Sequence, residues 1–481
     1  MAPNIDPEVG CVIPEPGQWP IDPQEDQAVL EDRLWIDGCF DFFHHGHTGV
    51  MLQSRRLGNE LLVGLHSDED IAANKGPTVM SLDERTAAVN ACRFSTMCVP
   101  HAPYVTSLPW ISHYGCRYVT HGDDITSDAS GNDCYRFVKR AGRMKIVPRT
   151  PGISTTDLVG RMLLCTKDHF ITSLTDCISG SEGAGSVEEK VARGREIQTR
   201  LREYAATPNG MDPYVDVYSF ASRHEEQEQA NGTQKQLTRS HNGRNSFSPM
   251  VTGVGPRPGQ RVVYTDGGFD LFSSGHIAFL RTVTEMEIKA GQARGWNDEE
   301  AKAKRLKAHG EDYPSAYVIA GVHDDQVINH YKGINYPIMN IFERGLCVVQ
   351  CRYVHAVVFG APYVPSKAYL QSLPGTQNSP LDAVYHGPTT FMPSPHHPDP
   401  YGDAKTMGIF HETPEHEFQE VNSAQIVQRI LDNRAQYEER QRKKGAKGVG
   451  EEAHRKREQL EREAEEERQK RQSDAEKQSR V

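Results

Sequence analysis

The chain has 481 residues, of which 37% are hydrophobic and 25% charged, and its formal net charge at pH 7 is −11. This length exceeds that of one typical domain and predicts two domains with additional segments. The acidic balance argues against a general binder of nucleic acid or anionic membranes, and the lack of any run of about 18 apolar residues argues against a transmembrane helix.

The N-terminal extension, residues 1–30, has neither the basic nor the apolar region of a secretory signal. The ten cysteines form no CxxC pair, and we expect them to be reduced and mostly buried. Together these features predict a soluble, cytoplasmic protein.

Residues 31–179 are predicted to form the first domain, because short apolar runs alternate with helical patterns there. The predicted strands cover residues 34–36, 61–65, 97–99 and 118–120, and the predicted helices cover residues 47–57, 81–92, 105–114 and 133–141. Strands that alternate with helices indicate βαβ units and an α/β fold with a parallel sheet. In such folds the ligand lies beyond the carboxyl ends of the strands.

Residues 180–258 are predicted to link this domain to a second one. Their composition shifts toward Gly, Ser, Asn, Gln and charged residues. We predict a helix over residues 187–206 and a flexible linker over residues 225–258.

The second domain, residues 259–432, is predicted from an internal repeat whose order is kept while its offset grows along the chain. DGCFD at 37–41 returns as DGGFD at 266–270, KG at 75–76 returns at 332–333, ER at 84–85 returns at 343–344, and APYV at 102–105 returns at 361–364. An insertion over residues 284–313 is rich in Lys, Glu and Ala and is predicted to be a helical or loose surface excursion.

The tail, residues 433–481, consists almost entirely of Glu, Arg, Lys and Gln. A helix that binds a membrane surface needs a strong apolar face, and the few apolar residues of this tail form no stripe. We therefore predict a solvated or disordered tail.

The strongest chemical signal follows the first predicted strand, where residues 43–47 read FHHGH. His44 and His47 open a predicted helix, where imidazole donors, backbone N–H groups and the helix dipole converge on an anion. Gly46 allows the backbone to approach a phosphate closely. The alternatives are a histidine-rich metal site or a surface cluster. A metal site is disfavoured because no Asp, Glu or Cys with ligand spacing accompanies the histidines.

This motif belongs to a series that resembles the cytidylyltransferase family. The series comprises DGCFD at 37–41, HHGH at 44–47, His66 with KGP at 75–77, ER at 84–85, HGDD at 121–124 and RTPGISTT at 149–156. The family uses a nucleotide-binding α/β fold to attach CMP to phosphorylated alcohols. The resemblance covers residues 34–165 well and residues 262–430 weakly. It implies two tandem Rossmann-like nucleotidyltransferase domains, each a parallel sheet flanked by helices.

Two tandem copies with a long linker are similar to the members of the family that act on phosphoethanolamine. The resemblance therefore implies transfer of CMP from CTP to phosphoethanolamine, which gives CDP-ethanolamine and pyrophosphate for phosphatidylethanolamine biosynthesis. Mg²⁺ is expected with the triphosphate of CTP. A homodimer is a possible assembly. The alternatives are phosphocholine or another phosphorylated alcohol as acceptor, and a non-catalytic nucleotide-binding scaffold.

The resemblance also implies roles for individual residues. His44 and His47 would donate to the phosphates, Lys75 would bridge the substrate phosphate and the α-phosphate, and Arg149 would bind phosphate as a fork. Asp124, and also Asp41, would hold the ammonium of the amino alcohol, so that Asp41, Lys75 and Asp124 together would bind the acceptor substrate. The residues expected to bind the nucleotide lie in the motifs and are Gly38, Cys39, Phe40, Gly46, His121, Gly152, Ile153, Ser154, Thr155 and Thr156.

The second copy lacks part of this set. Residues 273–276 read SSGH, so that Ser273 stands in place of the first histidine, and the chain reads VNSA at 421–424 with no RTxGISTT motif. Loss of one preorganised donor costs on the order of 10²–10³ in rate. We therefore expect a structural or regulatory second domain that binds nucleotide weakly at most.

Overall fold

Two sheets flanked by helices organise the chain, one sheet for each copy of the repeat. The computed structural model describes residues 3–124, 126–221, 246–376, 380–388, 399–439 and 442. The first copy contains the strands β1 (Leu30–Gly38), β2 (Glu60–Leu65), β3 (Met97–Val99), β4 (Cys116–Gly122) and β5 (Met144–Val147). Its helices are α1 (His45–Arg55), α2 (Asp68–Lys75), α3 (Leu82–Ala91), α4 (Leu108–His113), α5 (Arg136–Arg140) and α6 (Thr155–Leu164).

Two helices, α7 (Leu174–Ser179) and α8 (Val187–Tyr204), lead to the second copy. Its strands are β6 (Asp216–Ala221), β7 (Ser246–Val251), β8 (Arg261–Gly267), β9 (Ala316–Val322), β10 (Ala356–Phe359), β11 (Ala383–His386) and β12 (Phe410–Glu412). Its helices are a short 3₁₀ turn (Asp270–Phe272), α9 (Ser274–Ala293), α10 (Glu299–His309), α11 (Asp325–Lys332), α12 (Ile341–Val349), α13 (Lys367–Ser372), α14 (Gly402–Thr406) and α15 (Ser423–Asp432).

The strand order shows the duplication directly. The first sheet has the order β3-β2-β1-β4-β5 and is parallel throughout. The second sheet contains the same parallel order as β10-β9-β8-β11-β12, extended beyond β10 by β6 and then by the antiparallel β7. The α/β fold with a parallel, Rossmann-like sheet in each copy is therefore confirmed.

The central strand of the first sheet explains the apolar runs in the sequence. Leu34, Trp35 and Ile36 in β1 are at most 2% exposed, because helices cover both faces of the sheet. Strands buried on both sides read as continuous hydrophobic runs, and these were the strands that the sequence predicted.

The structure corrects the prediction for the segment expected to be a linker. The helix α8 agrees with the helix predicted over residues 187–206, but β6 and β7 belong to the second sheet. β6 has three buried residues among six and is fixed by pairing with β10, a contact between distant parts of the chain. The insertion over residues 284–313 is largely helical, in α9 and α10. Residues 222–245 and the tail beyond residue 442 lie outside the described residues.

One hydrophobic core cluster is shared by the two copies. A single buried cluster runs from Leu34 in the first copy to Ile430 in the second. At the seam the buried guanidinium of Arg93 donates to the carbonyl oxygens of Val349, Cys351 and Val354 at 2.8–3.0 Å. The copies therefore pack as one body across an interface that resembles a domain interior.

Two general features concern the whole described chain. Among the described residues, no helix combines the length and the apolarity needed to cross a membrane. All ten cysteines are free thiols, and seven of them are buried.

Candidate active site

The candidate site lies at the carboxyl end of β1, where the chain turns sharply into α1. Phe40 and Phe42 in this turn have positive φ angles of 52° and 53°. Such angles are uncommon for bulky residues, and they persist only where the surrounding structure imposes them. The turn places His44 directly at the start of α1, as its N-cap.

His44 and His47 face each other at this helix start. Their rings stack with centroids 3.9 Å apart, and the His44 side chain is buried. His44 Nδ1 accepts the backbone N–H of Gly46 at 3.1 Å, which leaves Nε2 as the N–H donor of the neutral ring. A Cβ atom on Gly46 would lie 2.9 Å from the His44 ring, so that glycine is required here.

The third histidine of the motif, His45, faces away from the site. It is 2% exposed, and burial lowers its pKa to about 4, so the ring is neutral. Its carbonyl oxygen accepts the hydroxyl of Tyr204 at 2.5 Å. His45 therefore belongs to the packing between α1 and α8.

The second half of the site is the start of α6. Ser154 is the N-cap of this helix, and its Oγ accepts the N–H of Asp157 at 3.1 Å. Thr155 Oγ1 donates to the carbonyl oxygen of Asp41 at 3.3 Å, which ties α6 to the turn after β1. Ile153 is buried, and its side chain would lie 3.1 Å from a Cβ atom on Gly46. The starts of α1 and α6 are thus neighbours.

Gly152 and Thr156 flank this contact. Gly152 has a φ angle of 91°, in the left-handed region that favours glycine. Thr156 lies in the first turn of α6, where backbone N–H groups point toward the helix start. Two neighbouring helix starts make a favourable environment for phosphate oxygens.

Two of the predicted site residues, Arg149 and Lys75, are exposed cations. Arg149 is exposed and forms no ion pair within the described part of the chain. The preceding segment is tied to α1, since Gln53 Nε2 donates to the Pro148 carbonyl oxygen at 2.9 Å. Lys75 is the last residue of α2, is also exposed, and holds its Nζ 5.8 Å above the ring of Tyr104.

Lys75 and His66 are close enough to interact electrostatically. The pKa of His66 is lowered mainly by burial, and the positive charge of Lys75 also contributes to the lowering. His66 Nδ1 lies 3.1 Å from the carbonyl oxygen of Ala102, which holds the ring in place. Lys75 therefore lies on the same side of the sheet as the end of β2.

Asp41 has a different position from the one that the sequence predicted. Its two carboxylate oxygens accept the backbone N–H groups of Val79 and Met80 at 3.1 and 3.0 Å, and it is 1% exposed. Asp270 makes the same contacts to Ile338 and Met339 in the second copy. Asp41 is held as a structural clamp and is not presented to a ligand, so we correct its expected role in binding the amino alcohol.

The backbone of the DGCFD turn is also used internally. The carbonyl oxygen of Gly38 accepts the N–H of His66 at 3.3 Å, and that of Cys39 accepts Arg85 Nη1 at 2.8 Å. Phe40 is buried, with its ring 5.3 Å from that of His47. These contacts fix the shape of the turn.

His121 and Asp124 lie together at the end of β4. His121 Nδ1 lies 2.9 Å from the carbonyl oxygen of Gly122 and 3.9 Å from Asp124 Oδ1. The His121 ring centroid is 4.6 Å from that of Tyr135. The Asp124 side chain is partly exposed, which leaves it open to a ligand.

A buried carboxylate at the end of β1 was missed at the level of the sequence. Asp37 is 4% exposed and accepts hydrogen bonds from Trp35 Nε1, Thr106 Oγ1 and Tyr135 Oη at 2.7–2.9 Å. Buried ions occur where several donors offset the loss of water. The available signal was a charged residue ending an apolar strand, repeated as Asp266 in the second copy.

The second copy binds its corresponding groups to its own chain. Ser273 Oγ donates to the carbonyl oxygen of Val421 at 2.8 Å, and His276 Nδ1 accepts the N–H of Ser273 at 3.1 Å. Lys332 Nζ donates to Ser423 Oγ at 2.9 Å. A phosphate that bound here would have to displace these internal contacts. The second copy also lacks one of the two histidines, since Ser273 stands in its place.

Comparison with known proteins gives the family. A family model described as cytidylyltransferase-like matches residues 35–161. Ethanolamine-phosphate cytidylyltransferase of Mus musculus is 38% identical over 424 residues, 88% of this chain and 91% of that protein. The protein of the same name from Dictyostelium discoideum is 36% identical over 420 residues, 87% of this chain and 95% of that protein. Choline-phosphate cytidylyltransferase A of Rattus norvegicus is 37% identical over 133 residues, 27% of this chain and 36% of that protein.

The extent of these matches separates the relatives. The matches to the mouse and Dictyostelium proteins span both copies of the repeat, whereas the match to the rat protein is no longer than one copy. Similarity over nearly the full length of both partners agrees with the duplicated sheets. This chain therefore belongs to the ethanolamine-phosphate cytidylyltransferase family.

Proposed function

We propose that the first copy transfers CMP from CTP to phosphoethanolamine, and that CDP-ethanolamine and pyrophosphate are the products. The observation that carries this proposal is the convergence of two helix starts, those of α1 and α6, in a copy that also has the exposed cations Lys75 and Arg149. His44 and His47 stack at one start, and Thr155 ties the other to the same turn. Oriented N–H donors and positive charge are what a triphosphate needs in a transferase.

The reaction needs no covalent intermediate on the protein. A phosphate oxygen of phosphoethanolamine attacks the α-phosphorus of CTP, a new P–O bond forms, and the bond to the β-phosphate oxygen breaks. Negative charge moves onto the departing pyrophosphate. His44 Nε2 and His47 are the donors proposed to stabilise this charge, and Arg149 is proposed to bind phosphate oxygens as a fork.

Lys75 is proposed to hold the attacking phosphate against the α-phosphate. Its ammonium is a compact charge on a flexible stem, suited to neutralising two anionic groups that otherwise repel each other. Bringing them together in line converts an encounter in solution into a reaction between positioned groups, which lowers the entropic part of the barrier.

Magnesium is proposed to enter with the nucleotide. Mg²⁺ keeps several waters and prefers substrate phosphates with one or two carboxylates. Among the described residues, no group of three or more His, Cys, Asp or Glu side chains forms a metal site. The triphosphate oxygens are therefore the main expected ligands, and MgCTP is the proposed substrate.

The amino group of the acceptor is proposed to lie toward the carboxylates at the ends of β1 and β4. Asp124 is partly exposed there, and the buried charge of Asp37 lies behind Tyr135. Phosphocholine is the alternative acceptor, because choline-phosphate cytidylyltransferase A also matches part of this chain. The relatives named for ethanolamine phosphate match most of the chain, which favours phosphoethanolamine.

The test is product formation by the purified full-length chain with MgCTP and one acceptor at a time. Phosphoethanolamine, phosphocholine and glycerol 3-phosphate are compared at matched concentrations, with CDP-alcohol and pyrophosphate measured separately. We expect a kcat/KM for phosphoethanolamine at least about tenfold above that for phosphocholine, since steric fit alone discriminates by about 10–200-fold. Equal or higher turnover of phosphocholine would identify the acceptor as choline-like. Binding of CTP without turnover of any acceptor would indicate the scaffold.

A further inference from the structure

The C-terminal helix of the second copy contacts the active-site side of the first copy. Arg429 in α15 forms a double ion pair with Glu84, with N–O distances of 2.8 and 2.9 Å. Arg429 Nη1 also donates to the carbonyl oxygen of Val79 at 3.2 Å. Beyond the end of α15, the hydroxyl of the buried Tyr437 donates to the carbonyl oxygen of Thr78 at 3.0 Å.

These contacts hold the segment that directly follows Lys75. Residues 76–80 connect Lys75, at the end of α2, to the start of α3. On one side the Asp41 clamp of the first copy holds the N–H groups of Val79 and Met80. On the other side Arg429 and Tyr437 hold carbonyl oxygens of the same segment. The segment is therefore fixed between its own copy and the second copy.

The pair between Arg429 and Glu84 is built to hold a fixed geometry. The Glu84 side chain is 5% exposed, and it also accepts the N–H of Ser81 at 2.8 Å in a capping box that starts α3. A two-pronged guanidinium–carboxylate pair fixes orientation as well as distance. Removing Arg429 would leave a buried carboxylate without its cation and would free this side of the segment.

A corresponding contact joins the two copies in the opposite direction. Arg161 in α6 pairs with Glu343 at 2.7 and 2.8 Å and donates to the carbonyl oxygen of Ile338 at 3.0 Å. Each copy thus uses its last helix to hold the corresponding segment of the other copy. Of the two segments, only the one held by Arg429 belongs to the copy that has the complete set of candidate catalytic groups.

We propose that Arg429 and Tyr437 are positioning residues for the first active site, acting through residues 76–80, the segment that directly follows Lys75. The inference rests on the proposed function, in which the Lys75 ammonium joins two phosphates. The lysine side chain is flexible, so its reach depends on where its backbone is held. A displacement of about 1 Å at a reacting group can cost about 10²-fold in rate. The second copy thereby completes the first site without contacting the substrate.

The first experiment compares steady-state kinetics of Arg429→Gln, Tyr437→Phe and the matched control Arg161→Gln. All three are full-length chains assayed with MgCTP and phosphoethanolamine. We expect Arg429→Gln to lower kcat by about tenfold or more, with KM for CTP changed less than about twofold. Tyr437→Phe keeps the buried ring and loses only the hydroxyl, so we expect a smaller fall in kcat with an unchanged unfolding midpoint. Arg161→Gln breaks the equivalent pair, in which an arginine in the last turn of α6, away from the helix start, holds Glu343 of the second copy, and it should leave kcat nearly unchanged.

The second experiment asks whether Arg429 acts through Lys75. In a Lys75→Ala background, Arg429→Gln should change kcat by less than about twofold, because residues that act as one unit are not additive. The same fold loss in both backgrounds would overturn the inference. So would an equal loss of kcat in Arg161→Gln and Arg429→Gln, because both would then report only docking of the two copies.

A measurement without turnover separates this inference from the proposed function. Amide hydrogen exchange over residues 76–82 should be faster in Arg429→Gln than in the parent chain, and unchanged in Arg161→Gln. If the parent chain makes no CDP-ethanolamine, the proposed function fails, and the exchange result still decides whether Arg429 holds the segment. Unchanged exchange, or unchanged turnover in an active chain, would overturn the inference alone.

Discussion

The N-cap position of His44 decides which of its nitrogens can act on a phosphate. Its Nδ1 accepts the Gly46 N–H at 3.1 Å, so the hydrogen bond that starts α1 also selects the tautomer with a proton on Nε2. In the second copy His276 Nδ1 is bonded to Ser273, and burial lowers the pKa of His276 to about 3. One residue change therefore alters both the cap and the donors beside it.

Lys75 is predicted to act through charge and reach. Lys75→Ala should lower kcat by about 10²-fold or more, as for loss of a preorganised electrostatic group. Lys75→Arg should not restore it, because the wide planar guanidinium cannot replace a compact ammonium between two phosphates. The measurement is kcat at saturating MgCTP and phosphoethanolamine, with Lys405→Ala in α14 as an exposed-lysine control. Retention of most activity in Lys75→Ala would show an ordinary surface lysine.

The two aspartates of the DGCFD turn show what the sequence can and cannot give at this scale. The motif correctly marked the end of β1 as polar and compact. The Asp41 carboxylate is buried because it accepts the backbone N–H groups of Val79 and Met80, which are distant in the sequence. The spacing of the motif does not encode these contacts. The sequence therefore suggested Asp41 for the ligand and gave no reason to single out Asp37, whose donors come from three separate segments.

Elements with a strong periodic pattern were predicted, and elements fixed by distant contacts were missed. The strands β1 to β4 are short apolar runs, and α3 is marked by its Ser81–Glu84 capping box. α2 has one buried residue, Ile71, and therefore offers no apolar stripe to recognise. β7 is an edge strand of the second sheet with few buried residues, and β6 beside it pairs with β7 and β10, so the tertiary structure decides the pairing of both strands.

The C-terminal contacts that the structure describes lead to a prediction for the tail. Tyr437 is buried and bonded to Thr78, whereas the residues beyond 442 are charged, with Leu460 their only Leu. One buried leucine gains about 1.5–3 kcal/mol at best, too little to hold a tail rich in acidic residues at an anionic surface. Deletion after residue 440 should therefore leave kcat unchanged. Added anionic vesicles should not affect the rate either.

The assay for the tail compares the full-length and truncated chains with and without vesicles of anionic phospholipid. A several-fold stimulation by vesicles that disappears on truncation would contradict the prediction. It would indicate an enzyme whose activity is controlled by a lipid-binding tail.

At the scale of the whole molecule, duplication has produced one core and two unequal sites. The repeat predicted two copies of one fold, and the matching strand orders confirm it. The sequence did not reveal the reciprocal contacts of Arg161 with Glu343 and Arg429 with Glu84, because each joins residues from different copies. Such contacts depend on how the copies pack. The two ion pairs fasten the second copy to the first.

Chemistry is proposed to take place in the first copy alone. The most direct measurement compares kcat of His47→Ala with that of His276→Ala, under saturating MgCTP and phosphoethanolamine, with unfolding midpoints recorded for both. Loss of one preorganised donor should lower kcat of His47→Ala by about 10²-fold or more. His276→Ala should retain nearly all activity, because the second site is occupied by its own side chains. A loss in His276→Ala as large as that in His47→Ala, with stability unaltered, would contradict the account.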